Sequence, residues 1–409
     1  IPVPITQARY VRAVDLDPGN FKVVHHAFIR FDQTRESRRQ DQRDTEPGFR
    51  GMSTAAKMPE GHFLAWQPGR VPADRKDGLA WKLEPGTDLV IEMHLRASGK
   101  PEKLRPSVAF YFTDEAPTRQ AFKIMLNSLI LDIPAGETNY IVEDQFVLPI
   151  DVELAGILPH AHFLARRMEG WAVLPDGRTE PLIRINDWDF NWQGDYRYEK
   201  PVRLPKGSSL KMRYSYDNST NNANNPSSPP QRVNYGPQSS DEMAELWFQF
   251  VAPLTNDLSA LADARQAKMA KVFWDRCEHR LRQNPRDAAA HSEFGLLLFQ
   301  VRRSREAEEH LRIAISLKPD FDAPHYYLGL LYRTQNRFAE AENEFKTTLR
   351  LNAQHSKAHG NLGYIYLSQG KFGPAEEHFK AAIALNPDDK VAADGLADAV
   401  KLRQQREQK

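Results

Sequence analysis

His160 and His162, in the stretch Gly156-Ile-Leu-Pro-His160-Ala-His162-Phe-Leu, stand two residues apart. Alternate residues of an extended segment share a face, so the two imidazoles are presented to one point, which is how a strand offers a metal two ligands. Downstream, Met243 in Ser239-Ser-Asp-Glu-Met-Ala-Glu-Leu supplies a candidate third ligand, a thioether. Upstream, the pair His25-His26 and the more distant His94 supply candidates for a second metal site. Six histidines lie in residues 1–252; five occupy these three places, and His62 is left over. Each has an ordinary alternative, a packed core pair for the two histidines and a core methionine for Met243; their co-occurrence is what points to chemistry. Neighbours on a regular strand face opposite sides, so His25 and His26 can share an ion only through a β-bulge or through different ring nitrogens. The lone cysteine, Cys277, excludes both an intramolecular disulfide and a thiolate metal site.

These residues must be positioned by strands. Up to about residue 253, short alternating runs rich in aromatic and β-branched residues, such as Phe21-Lys-Val-Val-His-His-Ala-Phe-Ile, Asp88-Leu-Val-Ile-Glu-Met-His-Leu and Ser107-Val-Ala-Phe-Tyr-Phe, are separated by Pro-Gly turns at Pro18, Pro47, Pro68 and Pro85. This pattern predicts all-β sandwich domains, jelly-roll-like, and the length allows two, over residues 1–118 and 119–253. Arg35 to Pro47, dense in both charge signs, reads as a solvated loop, and so does Asp217 to Pro230, whose Asn, Ser and Pro favour turns over ladders. Asn218-Ser-Thr matches a glycosylation sequon.

Beyond residue 253 the period becomes helical. Asp257 can cap a connecting helix, placed over residues 254–284, and residues 285–409 carry a 34-residue repeat. Gly295, Gly329 and Gly363 recur at that spacing, as do Ala307, Ala341 and Ala375; Pro319 and Pro387 close helix pairs, and Ala353 stands between them. These positions resemble the tetratricopeptide repeat, which implies an all-α solenoid of three repeats plus a capping helix. The solenoid implies a protein partner or self-association. His291, His325 and His359 share one repeat position, which packing alone explains. Ser292, Tyr326 and Gly360 stand where some members of that repeat family hold a peptide carboxylate, so that activity is not expected here.

Composition excludes other classes. Lys plus Arg 55 against Asp plus Glu 54 gives a net charge of +1 over 409 residues, which argues against nucleic acid as a partner. No window reaches the ~18 apolar residues of a membrane span. The chain opens at Ile1 without an initiator Met, as a processed piece of a longer precursor would.

The order Val-Val-His-His-Ala, Glu-Met-His-Leu, Pro-His-Ala-His-Phe-Leu and Ser-Ser-Asp-Glu-Met resembles the copper type II, ascorbate-dependent monooxygenases, whose animal members include the peptidylglycine and dopamine hydroxylases. The likeness runs from about Tyr10 to Ala252, and bacterial relatives are also similar across Asp187-Trp-Asp-Phe-Asn-Trp-Gln and Tyr216-Asp-Asn-Ser. The resemblance implies two separate mononuclear copper sites: His25, His26 and His94 for an electron-storing copper, and His160, His162 and Met243 for the copper that meets oxygen and hydroxylates a C–H bond. Imidazole suits both copper oxidation states, and a thioether favours the reduced ion. Ascorbate or another one-electron reductant, and a secreted, periplasmic or extracellular location, are implied with it. Two departures bear on the substrate. Leu158 stands where peptide-amidating members place a carboxylate-binding arginine, and Trp247 where they use a tyrosine, so peptidylglycine is not the expected substrate. Without the animal enzymes' disulfides, the two β domains are expected to be held by packing alone. The alternative is a structural or self-assembling protein whose repeats build oligomers or filaments on a β scaffold.

Overall fold

The structure is a computed structural model that describes residues 1–42, 48–49, 55–68, 78–96 and 98–407. The chain forms two compact units, Ile1–Val272 and Phe273–Lys409.

Among the described residues the first unit is all-β apart from two helices, and its strand pairs are antiparallel. Its first module comprises β1 (Arg9–Asp17), β2 (Val24–Asp32), the short helix α1 (Glu36–Asp41), β3 (Ala65–Trp66), β4 (Trp81–Leu83), β5 (Asp88–Leu95) and β6 (Ser107–Thr113). Two sheets, in the orders β4-β1-β6 and β3-β2-β5, face each other across Val11, Leu16, Ala27, Ile29, Leu83 and Leu89. The second module holds β7 (Arg119–Asn127), β8 (Asp132–Ile133), β9 (Tyr140–Val147), β10 (Val152–His160), β11 (Ala165–Val173), β12 (Thr179–Ile185), β13 (Tyr196–Leu204), β14 (Ser209–Tyr216), β15 (Val233–Asn234) and β16 (Glu245–Pro253). Its main sheets run β13-β10-β16-β7 and β12-β11-β14-β9, with β15-β8 as a small third. The alternation seen in sequence places Ile124, Leu126, Leu154, Met212, Tyr214, Leu246 and Phe248 in one core. Among the described residues no sheet closes into a barrel.

Two loop expectations change. Within the stretch from Arg35, residues Glu36–Asp41 form α1 rather than a loop. The buried Asp32 carboxylate accepts the Thr34 and Ser37 backbone N–H groups, and Arg38 forks onto the carboxylate of Asp88, fifty residues away. Residues 43–47, with the turn expected at Pro47, lie outside the described residues. Asp217 to Pro230 does lack helix and strand, but Asn218 is fully buried, its amide donating to the carbonyls of Ile133, Pro134 and Gln231. A sequon asparagine held this way is closed to glycosylation in the folded chain.

More than packing joins the β modules. The buried Gln249 amide donates to Gly61 C=O at 2.6 Å, Lys123 Nζ donates to His62 C=O at 2.8 Å, and Arg265 pairs with Glu60. Gly61 is required here: at φ +74° a Cβ would lie 2.2 Å from the Ala121 backbone.

Helix α2 (Ser259–Gln283) begins where the Asp257 carboxylate accepts the Ser259 N–H. The second unit stacks α3 (Ala288–Gln300) with α4 (Ser304–Leu317), α5 (Asp322–Thr334) with α6 (Phe338–Leu351), and α7 (Ser356–Ser368) with α8 (Phe372–Leu385), followed by α9 (Lys390–Glu407). The recurring small residues are the contact points. A Cβ on Gly295, Gly329 or Gly363 would sit 2.6–2.7 Å from Leu311, Phe345 or Phe379 on the paired helix. Leu298, Tyr332 and Tyr366 are buried in the same core.

Candidate metal centre

On β2 the register against β5 runs from Val24 opposite Leu95 to His26 opposite His94, with a shift between them. His25 is therefore the extra residue of a bulge, the local distortion that lets adjacent side chains serve one side of a sheet. Its consequence is that His25 Nδ1 and His26 Nδ1 lie 2.8 Å apart. The His26 ring stacks on its cross-strand neighbour His94 at 4.1 Å, and its Nε2 is buried with no hydrogen-bond partner. His94 is half exposed, with Nε2 3.7 Å from the Glu92 carboxylate.

In the second module β10 ends at His160, opposite Glu245 of β16. His162 lies two residues beyond the end of β10, and Met243 two residues before the start of β16. His160 Nδ1 is hydrogen-bonded to Gln193 Oε1 at 2.5 Å, and His162 Nδ1 to the Asp241 carbonyl at 3.0 Å. Each Nδ1 therefore carries the proton, and each Nε2 keeps its lone pair free for a ligand role. The segment is held by Glu242, whose fully buried carboxylate accepts the backbone N–H groups of His162 (2.8 Å), Leu164 (2.7 Å) and Met243 (2.9 Å). Burial raises the Glu242 pKa to about 7 against the pull of those donors. The Tyr216 hydroxyl donates to Met243 C=O and Trp188 Nε1 to His162 C=O.

The two sets meet. Ring contacts run from His25 to His26 (5.0 Å), His26 to His160 (6.4 Å) and His160 to His162 (5.4 Å), while Phe190 stacks on His25 at 4.4 Å and touches the edge of His162. The sites that the resemblance keeps separate are adjacent in this structure. Burial first, then mutual repulsion, holds the imidazoles neutral: His26 is lowered to about 2 and His162 to about 4. His160 is lowered to about 4 by burial, against the bond to Gln193, and His25 is lowered by burial and by Arg96.

Neutral imidazoles are the form that binds metal. His25 Nδ1 and His26 Nδ1 are hydrogen-bonded to each other at 2.8 Å, one ring donating and the other accepting, and that length is also about the spacing of two nitrogens each ~2.0 Å from one ion and at right angles. The third donor does not follow, because His94 is stacked face to face on His26 rather than turned towards the pair. Among the described residues no three or more His, Cys, Asp or Glu side chains converge on one metal position. The arrangement offers donor pairs, not closed three-ligand sites.

His62 lies outside the cluster, against Trp81. Gln193, Glu242, Phe190 and Trp188 carry positional roles that the sequence reading left unassigned. Three of them lie in the Asp187-Trp-Asp-Phe-Asn-Trp-Gln stretch and the fourth is next to Met243. The repeat histidines find their partners within their own repeats. His291 pairs with His310, His325 with Glu344 and His359 with His378, each nineteen residues on and within its own repeat.

The chain thus joins a two-module β unit that carries a buried histidine cluster to a helical repeat array. Residues 292–344 and 326–390 match the family described as Tetratricopeptide repeat. No curated protein matches the chain. One similar solved structure is titled "Crystal structure of MamA protein"; it is 18% identical, covers 37% of this chain and 82% of that chain, and has a TM-score of 0.32, a likeness that carries no argument. Tetratricopeptide repeats suggest a protein-interaction role for the second unit. No helix among the described residues is long and apolar enough to cross a membrane.

Proposed function

We propose that the first unit is a copper-binding monooxygenase module and that the repeats dock it to a protein partner or to further copies of itself. The observation that carries the reading is the bulge at His25, which supplies the condition under which two adjacent strand histidines can share an ion. On this reading His25, His26 and His94 would hold one copper, the His94 ring turning from its stack, and His160, His162 and Met243 would hold the other. Copper on such ligands supplies one-electron chemistry towards dioxygen, with ascorbate or another one-electron donor as the source. The chain's own part is positional. Gln193 and the Asp241 carbonyl keep the protons of His160 and His162 on Nδ1, Glu242 fixes the His162 and Met243 backbones together, and Phe190 covers His25 from solvent. The same reading puts the protein in the periplasm or outside the cell.

The test is copper per chain by elemental analysis after reconstitution and desalting. The wild type is expected to hold about two, and His162→Ala and Met243→Ala about one each, because each removes a ligand from one site only. Both variants are also expected to lose ascorbate-driven oxygen consumption while keeping the fold. A wild-type value near zero would remove copper from the function and leave the repeats as its only indication.

A further inference from the structure

The face of the β10-β16-β7 sheet that carries the candidate metal ligands continues into a cavity. Glu245, opposite His160, is followed two residues on by Trp247, which is opposite both Leu158 and Met125. One such step along a strand is about 7 Å. There a cavity of ≈ 250 Å³ opens, lined among others by Met58, Glu60, Lys123, Met125, Trp247 and Met269, all from the first unit. At ~30 Å³ per water this is room for about eight waters, or for a ligand of roughly ten heavy atoms. Three thioethers and an indole give it an apolar, adaptable wall suited to an aromatic or branched body.

Of its charged groups, Lys123 lies closest to the indole. The ammonium donates to His62 C=O at 2.8 Å and lies over the rings of Phe63 (5.4 Å) and Trp247 (5.6 Å). An ammonium has three N–H donors, and this bond uses one. The other cations of the cavity, Arg265 and Lys268, are paired with Glu60 (2.8 Å) and Asp144 (2.5 Å), whereas among the described residues Lys123 has no carboxylate of its own. Burial pushes its pKa down to about 8 against the pull of the Glu60 carboxylate, which Arg265 shares, with Arg30 and Arg265 adding to the fall.

We propose that this cavity binds a small apolar acid, its body between Met58, Met125, Trp247 and Met269 and its carboxylate on the spare N–H groups of Lys123. Binding requires no metal; that the acid is the molecule hydroxylated rests on the copper reading.

The experiment is calorimetric titration of the metal-free full chain with 3-phenylpropionate, 3-phenylpropanamide and 3-phenylpropylammonium, which share a body and differ in charge. The anion is expected to bind at least about tenfold more tightly than the amide, as a charge-assisted bond requires, and the ammonium not to bind. Lys123→Met is expected to bring the anion to the level of the amide and leave the amide unchanged. Met269→Trp fills the cavity and is expected to abolish both. The proposal is overturned if no probe binds at millimolar concentration, if the ammonium matches the anion, or if Lys123→Met binds the anion as the wild type does. Should Lys123→Met fail to fold by near-ultraviolet circular dichroism, the wild-type charge series and Met269→Trp decide. Anion binding by a chain that takes up no copper would sustain the cavity and refute the oxygenase.

Discussion

Replacing Gly61 by alanine tests whether the surface between the two β modules is what brings the histidine sets together. Two costs are separable in the structure. At φ +74° an alanine is held in the left-handed region, a cost of about 1–2 kcal/mol. Its Cβ would also meet the Ala121 backbone carbon and oxygen at 2.2 and 2.3 Å, atoms that cannot rotate away, so the modules must shift; forced overpacking of this kind costs about 1–3 kcal/mol. The shift strains the 2.6 Å bond from Gln249 to Gly61 C=O, whose donor is buried and left unpaired if the bond breaks, at about 1–3 kcal/mol. A total of about 3–8 kcal/mol is a large part of the ~5–15 kcal/mol that stabilises a domain. Gly177 is the control: at φ +84° it has nothing within 4 Å of the added Cβ, so Gly177→Ala bears the backbone cost alone, about 1–2 kcal/mol. Urea unfolding followed by tryptophan fluorescence measures both. Gly61→Ala is expected to lose at least twice what Gly177→Ala loses, and to unfold the first unit in two steps. Equal losses would show that the module surface contributes little and that the adjacency of His26 and His160 has another cause.

The depressed folded-state values of His26 (about 2), His160 (about 4) and His162 (about 4) stabilise the metal-free chain above pH ~6.5 and lose that contribution as pH falls, about 2 kcal/mol each by pH 5. Glu242, raised to about 7, has the opposite sign and adds about 2–3 kcal/mol over the same range, so a net loss of about 3–4 kcal/mol is expected between pH 8 and pH 5, and about 2 kcal/mol less in His160→Gln; a variant with wild-type pH dependence in urea melts would contradict the burial of His160. In the repeats, Gly329→Ala places a Cβ 2.6 Å from the fully buried Phe345 ring, and the ~1–3 kcal/mol of overpacking exceeds the ~1 kcal/mol gain in helix propensity, so the far-ultraviolet melt should shift down. Finally, Asn218→Ala leaves the carbonyls of Ile133, Pro134 and Gln231 without their buried donor and is expected to lower stability in urea melts by at least about 1–3 kcal/mol; an unchanged midpoint would contradict the burial of Asn218.

What the sequence shows of the fold follows the range of the interactions involved. Alternation along β10 and β16 and the recurrence of Gly295, Gly329 and Gly363 are local patterns, and each predicts its own burial without knowledge of a partner. Helix α1 escaped because its start depends on Asp32 and its anchor on Asp88, and a run of mixed charges gives no local sign of either. The bulge at His25 is illegible for the same reason. Whether Val24 or His26 falls opposite a given residue of β5 is a property of the pair of strands, fixed some seventy residues away. Lys123 gives no local sign either, because what surrounds it, the His62 carbonyl and the Phe63 and Trp247 rings, comes from segments some sixty and more than a hundred residues away.

Recurrence and convergence also separate two kinds of histidine. Those at 291, 325 and 359 return at the repeat period, and each finds a partner on the second helix of its own repeat, so their periodicity reports packing. Those at 25, 26, 94, 160 and 162 have no period and come from three strands of two modules, yet His26 touches His25, His94 and His160 and keeps a buried Nε2 with no partner. A buried nitrogen without a bond costs stability that an apolar residue of the same size would not. Its persistence at the junction of the two sets is the physical ground for expecting a ligand there.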